Sequence, residues 1–468
     1  MAEQLAHVDT APEQDTGHPA RGRLALFATV SIALFMASVD QTIVATALPA
    51  IQHDLHAQVN WSAWTITVYA LGQVLVMPLA GKFGDQYGRK KIFLGAVALF
   101  TAASLCCGLA DNIYLLIVLR FIQALGGGAL MPSATGIIAE RFGAGRDRAL
   151  GLFSSIFPIG GIVGPVLGGV FVTYWSWRGI FLVNIPVGIV LLAFGAAVIP
   201  QIPHRRDPQL DISGVLLLGA TLLSAMLGIG YLGGTDSNPL SVFFLLPECI
   251  AVLAAIAFIR HIARAPSPFV SLRFLTGRDF GVMNLLNFLY GSAVLGFAPL
   301  VPLYAETRFH LAALPAGTLL TARAVGMIAV AAASVWLLRR TGYRWPIAVG
   351  FVLCGAGLVA TASTPHALSA YAWLALGTGV CGVGMGIATP AANNATLQLA
   401  PEQAAAVAGL RGMFRQAGAI TAVSITAAIV ARSADPGIAQ AHTFLVFAAI
   451  IIGSLPLVLL VPDHRGRW

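Results

Sequence analysis

The sequence predicts an all-α polytopic membrane protein, and three observations predict it. The chain of 468 residues is 57% hydrophobic and 10% charged, where soluble domains carry roughly a quarter charged residues; its mean hydropathy is +0.82. The apolar residues come in blocks, such as 24–39, 92–109, 180–199, 242–259 and 443–461, each near the ~20 residues that cross a bilayer as a helix. These blocks are rich in Gly, Ala and Leu and lack the ~10-residue alternating segments of a membrane β-barrel. Finally, the basic residues fall in alternate loops.

Fourteen spans are expected, at 24–48, 61–80, 92–109, 113–139, 149–173, 180–200, 211–232, 242–262, 279–304, 316–338, 346–363, 369–392, 404–431 and 441–462. Residues 1–20 are polar, with no basic cluster ahead of an apolar core, so the first block reads as a span and not as a cleaved signal. Of the 27 Lys and Arg, Arg178, Arg308 and Arg432 lie in one set of loops and Arg120, Arg323 and Arg415 lie within spans. The rest lie on the side of the tails, which places both termini in the cytoplasm. A different span count would scramble this alternation. The net charge of +8 is thus a matter of topology, and no nucleic-acid partner is expected. The five cysteines sit in apolar blocks without metal-ligand spacing and are packing residues.

The chain also looks duplicated. "GALMP" at Gly128–Pro132 recurs as "GIATP" at Gly386–Pro390, an offset of 258, and Gly88 aligns with Gly342 at an offset of 254. The expected organisation is a tail at 1–23, a six-span half at 24–200, a linker with two extra spans at 201–278, a second half at 279–462 and a tail at 463–468. Parallel repeats of this kind place a substrate site between the halves near the bilayer midplane.

The charged and polar residues inside the spans carry the chemistry. Span 1 holds Asp40; a charge at the bilayer centre costs roughly 2.5–3.5 kcal/mol on insertion scales. Burial disfavours the charged form of a carboxyl, which suits Asp40 to take up and release a proton; the alternative is a structural acid bonded to its neighbours. Tyr69 and Gln73 share one face of span 2, and Asn284, Asn287 and Tyr290 recur at helical spacing in span 9. Together with Gln123 of span 4 they line a wet cavity or bond between helices. Arg120 in span 4, three residues before Gln123, is a fixed cation. Span 5 carries Gly151, Gly160, Gly164, Pro165, Gly168 and Gly169, small residues that let another helix approach, with a proline that weakens the helix ladder. Glu248 in span 8 either helps proton movement or is a protonated or snorkelling side chain; Glu306 at the end of span 9 is another acid to examine. Arg323 in span 10 either faces the cavity, favouring neutral or anionic groups, or snorkels to the outer interface. Arg415 in span 13 is structural or gating. No phosphate-binding G-x-x-x-x-G-K-[ST] stretch, metal triad or nucleophile elbow is present, so neither ATP as direct energy source nor an enzyme is expected.

"GKFGDQYGRKK" at 81–91 resembles the signature loop of the major facilitator superfamily, matching at Gly81, Asp85, Gly88, Arg89 and Lys90, with Gln86 where a basic residue is usual. The glycines of span 5 resemble, position for position, the signature of that superfamily's proton-driven antiporters. "SVDQTIVATALPAI" around Asp40 resembles span 1 of its fourteen-span drug:proton antiporter family. "LRFIQALGGG" fits the span-4 pattern, with Ala124 in place of the expected glycine; "WSWRGIFLVNIPVG" and "GLRGMFRQAGA" are similar to the same family. The resemblance implies a major facilitator fold of two six-helix bundles plus two extra helices, working by alternating access. It implies proton-coupled export of hydrophobic or amphipathic drug-like compounds from a bacterial cytoplasmic membrane, by a monomer without cofactor whose partners are lipid, small-molecule cargo and protons. Asp40 paired with Arg120 would couple the proton, and Asp85 with its basic neighbours would latch the cytoplasmic face or simply cap a turn. A narrow-specificity metabolite or organic-anion transporter, and a non-transporting sensor or lipid-handling protein, are the alternatives.

Overall fold

The structure, a computed structural model, describes residues 20–142, 149, 152–153, 156–201, 211–232, 237–266, 268, 272–365, 368–399 and 404–462, apart from some side chains within helices. Gly151 lies outside the described residues, and so do the side chains of Gly81 and Asp85.

The described elements are helical. In chain order they are α1 (Ala20–Asp54), α2 (Val59–Tyr87), α3 (Arg89–Gly108), α4 (Ile113–Arg141), α5 (Ile156–Tyr174), the short α6 (Gly179–Leu182) and α7 (Asn184–Val198). Then come α8 (Ile212–Tyr231), α9 (Val242–Arg264), the short α10 (Leu272–Thr276), α11 (Arg278–Tyr290) and α12 (Val301–Phe309). The last are α13 (Ala313–Thr341), α14 (Arg344–Ala362), α15 (Ala370–Leu397), α16 (Ala404–Arg432), α17 (Pro436–Gly453) and α18 (Leu455–Val458). Twelve helices among the described residues are long and apolar enough to cross a membrane. Helix α2 and the 159–174 stretch of α5, at the second and fifth expected spans, stand outside that dozen, so this measure does not reach the expected count of fourteen.

Side-chain caps set several helix starts. Asn112 accepts from the Leu115 amide, Asp211 from Gly214, Ser241 from Phe243 and Asp435 from Ile438, each satisfying an amide the helix leaves open. The stretch 81–91 is less of a loop than its sequence suggests. Helix α2 continues to Tyr87 and α3 begins at Arg89, so the turn is Gly88 alone, at φ +95°. That backbone region favours glycine. Among the described glycines, Gly342, its expected counterpart, shares a positive φ at +70°.

The glycines of the repeated stretch also do equivalent work. A Cβ on Gly126 would press on Phe100 and Ala96 of α3, and one on Gly128 on Val76 and Gln73 of α2. Their counterparts Gly384 and Gly386 approach Gly350 and Cys354 of α14, and Met327 and Val330 of α13, in the same way. Buried apolar residues between 283 and 461 form one core, joined by Ala45 and Ala63, while two others draw almost wholly on residues 26–226.

The two sets of helices meet along two seams. On one, α5 lies on α13: Gly169 abuts Leu314, Gly317 the Pro165 carbonyl, and Thr321 Oγ1 donates to the Ile162 carbonyl at 3.1 Å. The α13 stripe continues to Val325 and Ile328, but these are 52% and 40% exposed. On this seam the halves close at the end away from the chain termini and part toward the other end. On the second seam Gln416 Nε2 donates to Gln73 Oε1 at 3.2 Å. Helix α8 rests beside both, with Asn60 Nδ2 and Arg432 Nη1 donating to the carbonyls of Gly230 and Leu232, and α9 packs on α8. At its far end α9 is tied back by His261, 2.6 Å from the Asp211 carboxylate.

Candidate functional site

Asp40 lies in the middle of α1 with its side chain wholly buried. Helix α1 is mostly Ala, Leu, Ile and Val there, so the carboxylate is shielded from solvent, and its partners come from two other helices. Arg120 Nη1, from α4, stands 2.7 Å from Asp40 Oδ2. Gln123 Nε2, one turn further along α4, donates to Oδ1 at 2.8 Å, and Asn184 Nδ2, at the start of α7, donates to the same oxygen at 3.0 Å. Ser104 Oγ on α3 accepts from Gln123 at 2.6 Å and from Asn184 at 3.3 Å. The guanidinium is held just as closely: Nη1 also donates to Gln123 Oε1 at 2.6 Å and Nε to the Thr65 carbonyl at 3.2 Å, and its carbon lies 4.0 Å from the Tyr69 ring centre. A buried ion pair repays its desolvation only when its remaining hydrogen-bonding positions find partners; here both carboxylate oxygens and the guanidinium Nε and Nη1 have them.

The other face of α1 meets α5. Two residues along a helix turn the side chain through roughly 200°, so Ser38 and Thr42 point away from the Asp40 side. Ser38 Oγ donates to the Phe157 carbonyl at 2.6 Å and Thr42 Oγ1 reaches the Gly160 carbonyl at 3.3 Å. A Cβ on Gly160 would strike Ser38; on Gly164, Thr42; on Gly168, Ile43 and Thr46. Gly169 and Pro165 face α13 instead. The glycine series therefore seats α5 between the helix that carries Asp40 and the opposite half.

In the 81–91 stretch, Arg89 Nε bonds Glu140 Oε1 of α4 at 2.6 Å, and its guanidinium lies over Gly136. Lys90 Nζ donates to the Ala196 carbonyl at 2.6 Å. These contacts tie α3 to α4 and α7 within one half.

A match to the Major Facilitator Superfamily model runs over residues 30–423. The chain belongs to that superfamily. Over 419 residues this facilitator is 28% identical to a multidrug transporter protein, MdtP, of Bacillus subtilis, covering 88% of this chain and 76% of that protein. Over 394 residues it is 31% identical to a multidrug resistance protein B homolog of Mycobacterium tuberculosis, covering 83% and 72%. A crystal structure of a peptide transporter in complex with sulfate superposes with a TM-score of 0.71 over 95% of both chains at 15% identity, a likeness of fold. The facilitator is thus a multi-pass membrane transporter.

The expected cavity residues separate in the facilitator. Tyr69 is buried against Arg120, Gln73 joins Gln416 across the halves, and Asn284 donates to the Phe274 carbonyl at 2.8 Å. Asn287 and Tyr290 line a cleft in the second half with Phe351, Thr389, Asn393 and Arg415. Arg323 is directed inward, Nη1 donating to the Val294 carbonyl at 3.3 Å. Glu248 Oε1 is buried against Gly228 without a partner among the described residues, and Glu306 Oε1 is likewise unpartnered. Sequence reasoning assigned no role to Ser104, Asn184 or Arg411. Asn184 stood inside a quoted motif, as the amide in "LVNIP". A second group also went unremarked: Asp54 Oδ2 takes Arg178 Nη1 at 2.6 Å and Trp177 Nε1 at 2.9 Å, clamping the far end of α1 to the turn before α6.

Proposed function

We propose that the facilitator is a fourteen-span proton-coupled antiporter that exports hydrophobic or amphipathic toxic compounds across a bacterial cytoplasmic membrane, both termini inside. The multidrug names of its relatives support the cargo class. The observation that carries the coupling is the sealed Asp40–Arg120 pair, held by Gln123 and Asn184. Protonation of Asp40 would cancel half of that pair and leave Arg120 uncompensated in a low-dielectric interior, an imbalance large enough to drive rearrangement. In this state Asp40 touches no solvent, so a proton reaches it when α1 shifts against α4 and α7. The hydroxyl contacts of Ser38 and Thr42 carry that shift to α5, and through Gly169 and Pro165 to the opposite half. The membrane potential adds roughly 2.3 kcal/mol per charge per 100 mV to such a cycle.

The test is Asp40→Asn in everted vesicles. Gradient-driven dye or drug accumulation should vanish while cargo binding persists. Accumulation that survives unchanged removes Asp40 from the coupling.

A further inference from the structure

The two halves treat their interior cations differently. In the first half Arg120 is neutralised by Asp40. In the second half three arginines gather around one turn of chain, and none has a carboxylate partner among the described residues. Arg411 and Arg415 stand one turn apart on α16, on one face of the helix. Arg415 lies over the Tyr290 ring, its guanidinium carbon 5.0 Å from the centre. Arg323, from α13, donates from Nη1 to the carbonyl of Val294, one turn along from Tyr290, at 3.3 Å. Nε of each arginine, and Nη1 of Arg411, is buried with no hydrogen-bond partner among the described residues.

Unpaired buried N–H groups on a cation are costly, and like charges so close repel. An anion would relieve both at once, and the guanidinium fork suits carboxylate, sulfonate and phosphate oxygens. The surroundings are those of a recognition site. The cleft beside Arg415, about 20 Å³ in volume, has room for about one water-sized group and is lined by Asn287, Tyr290, Phe351, Thr389, Asn393 and, of the three arginines, Arg415. Tyr290 is fixed by Thr389 at 3.0 Å and stacks on Phe351, so an aromatic wall stands beside the cations. Asn393 Oδ1 lacks a partner among the described residues; turning that amide over would present its NH₂ to the cleft. Residues 291–295, directly after Tyr290, form a π-helical turn, a distortion frequent at functional sites. The neighbour of Arg415, Gln416, makes the contact to Gln73 that crosses between the halves.

We infer that Arg411, Arg415 and Arg323, with Tyr290, form an anion subsite in the second half, which takes the carboxylate, sulfonate or phosphate group of an amphipathic aromatic cargo. This deepens the export reading and rests on it for the word cargo, but binding can be read without any gradient.

The experiment uses the full chain in nanodiscs of neutral lipid and three probes of one shape: naphthalene sulfonate, its neutral sulfonamide and a naphthylmethylammonium. The sulfonate should bind about tenfold or more tighter than the other two. The advantage should disappear in Arg411→Gln/Arg415→Gln and survive in Arg411→Lys/Arg415→Lys. It should also survive in Arg308→Gln, which removes a cation already held by Tyr304 Oη at 2.6 Å. The single Gln variants serve if the double one does not fold. Equal binding of the three probes, an advantage that persists without both arginines, or a loss in Arg308→Gln as large as in the double variant, each overturns the subsite. Titrating phosphatidylglycerol into the discs separates the sources of the anion. If that lipid displaces the sulfonate from the unmodified chain, the occupant is a lipid phosphate and the cargo assignment falls. Since no step needs a proton gradient, failure here is distinct from failure of the Asp40 test.

Discussion

Asn184 shows how a residue can matter without announcing itself. It supplies one of the two amides on Asp40 Oδ1, yet an uncharged polar residue in a span is ordinary, and nothing in its spacing from residue 40 encodes the contact. Asp40 and Arg120 were legible because a charge in an apolar helix is expensive and needs a reason. Tyr69 and Gln73 were legible as one helix face but not as to destination: one backs the guanidinium and the other bridges the halves. The closed network makes a graded prediction. Arg120→Leu leaves the carboxylate buried and unpaired and should cost about 3–5 kcal/mol. Asn184→Ala removes one donor to a charged group and should cost about 1.5–3 kcal/mol. The double change Asp40→Asn/Arg120→Leu should recover part of the first loss. Thermal unfolding in detergent reads all three, and a double variant no more stable than Arg120→Leu alone would show that the guanidinium serves packing more than pairing.

At the scale of the element, the glycine series of α5 was readable as close packing but not as to which helix lies against which glycine. The structure assigns them: Gly160, Gly164 and Gly168 to α1, Gly169 to α13, while Gly161 has no heavy atom within 4 Å of where its Cβ would be. Gly164→Ala should therefore push α1 and α5 apart, at about 1–3 kcal/mol, with transport falling accordingly. Gly161→Ala should behave as the unmodified chain. Because the obstruction at Gly164 is chiefly the Thr42 side chain, adding Thr42→Ala should restore part of what Gly164→Ala removes. Transport rates in vesicles, normalised to the amount of folded protein, decide it; equal effects at 161 and 164 would mean the series is a general helix property and not a contact. The 81–91 stretch teaches the reverse lesson. Its glycines and charges read as a loop, but ten of its eleven residues continue helices and Gly88 alone makes the corner. Helix propensity is a weak guide where a neighbouring helix supplies partners, as Glu140 does for Arg89.

For the whole molecule, the internal repeat was visible in the sequence and is expressed as matched contacts of Gly126 with Gly384 and Gly128 with Gly386. What the repeat could not reveal is where along α5 and α13 the halves touch. The α5–α13 seam is closed at Gly169 and Leu314, and the same α13 stripe is uncovered at Val325 and Ile328. If transport requires the two halves to rock, that closed end must open once per cycle, and a bond across it must stop the cycle. The two positions are close enough for one once the helices ease apart slightly: a Cβ on Gly169 would stand 3.3 Å from the Leu314 Cβ and 2.8 Å from its Cα, against the roughly 3.5–4.5 Å between Cβ atoms in a disulfide. The exposed Cys106 and Cys249 are first changed to Ser. Gly169→Cys/Leu314→Cys should then transport when reduced, more slowly than the unmodified chain because the added Cβ meets the Leu314 backbone, lose most of that transport on oxidation, and regain it with a reductant, while each single variant ignores the oxidant. Oxidised protein whose cross-link is complete by gel shift and which still moves cargo would show that the Gly169–Leu314 contact never opens, and the rocking of α5 against α13 would have to be abandoned.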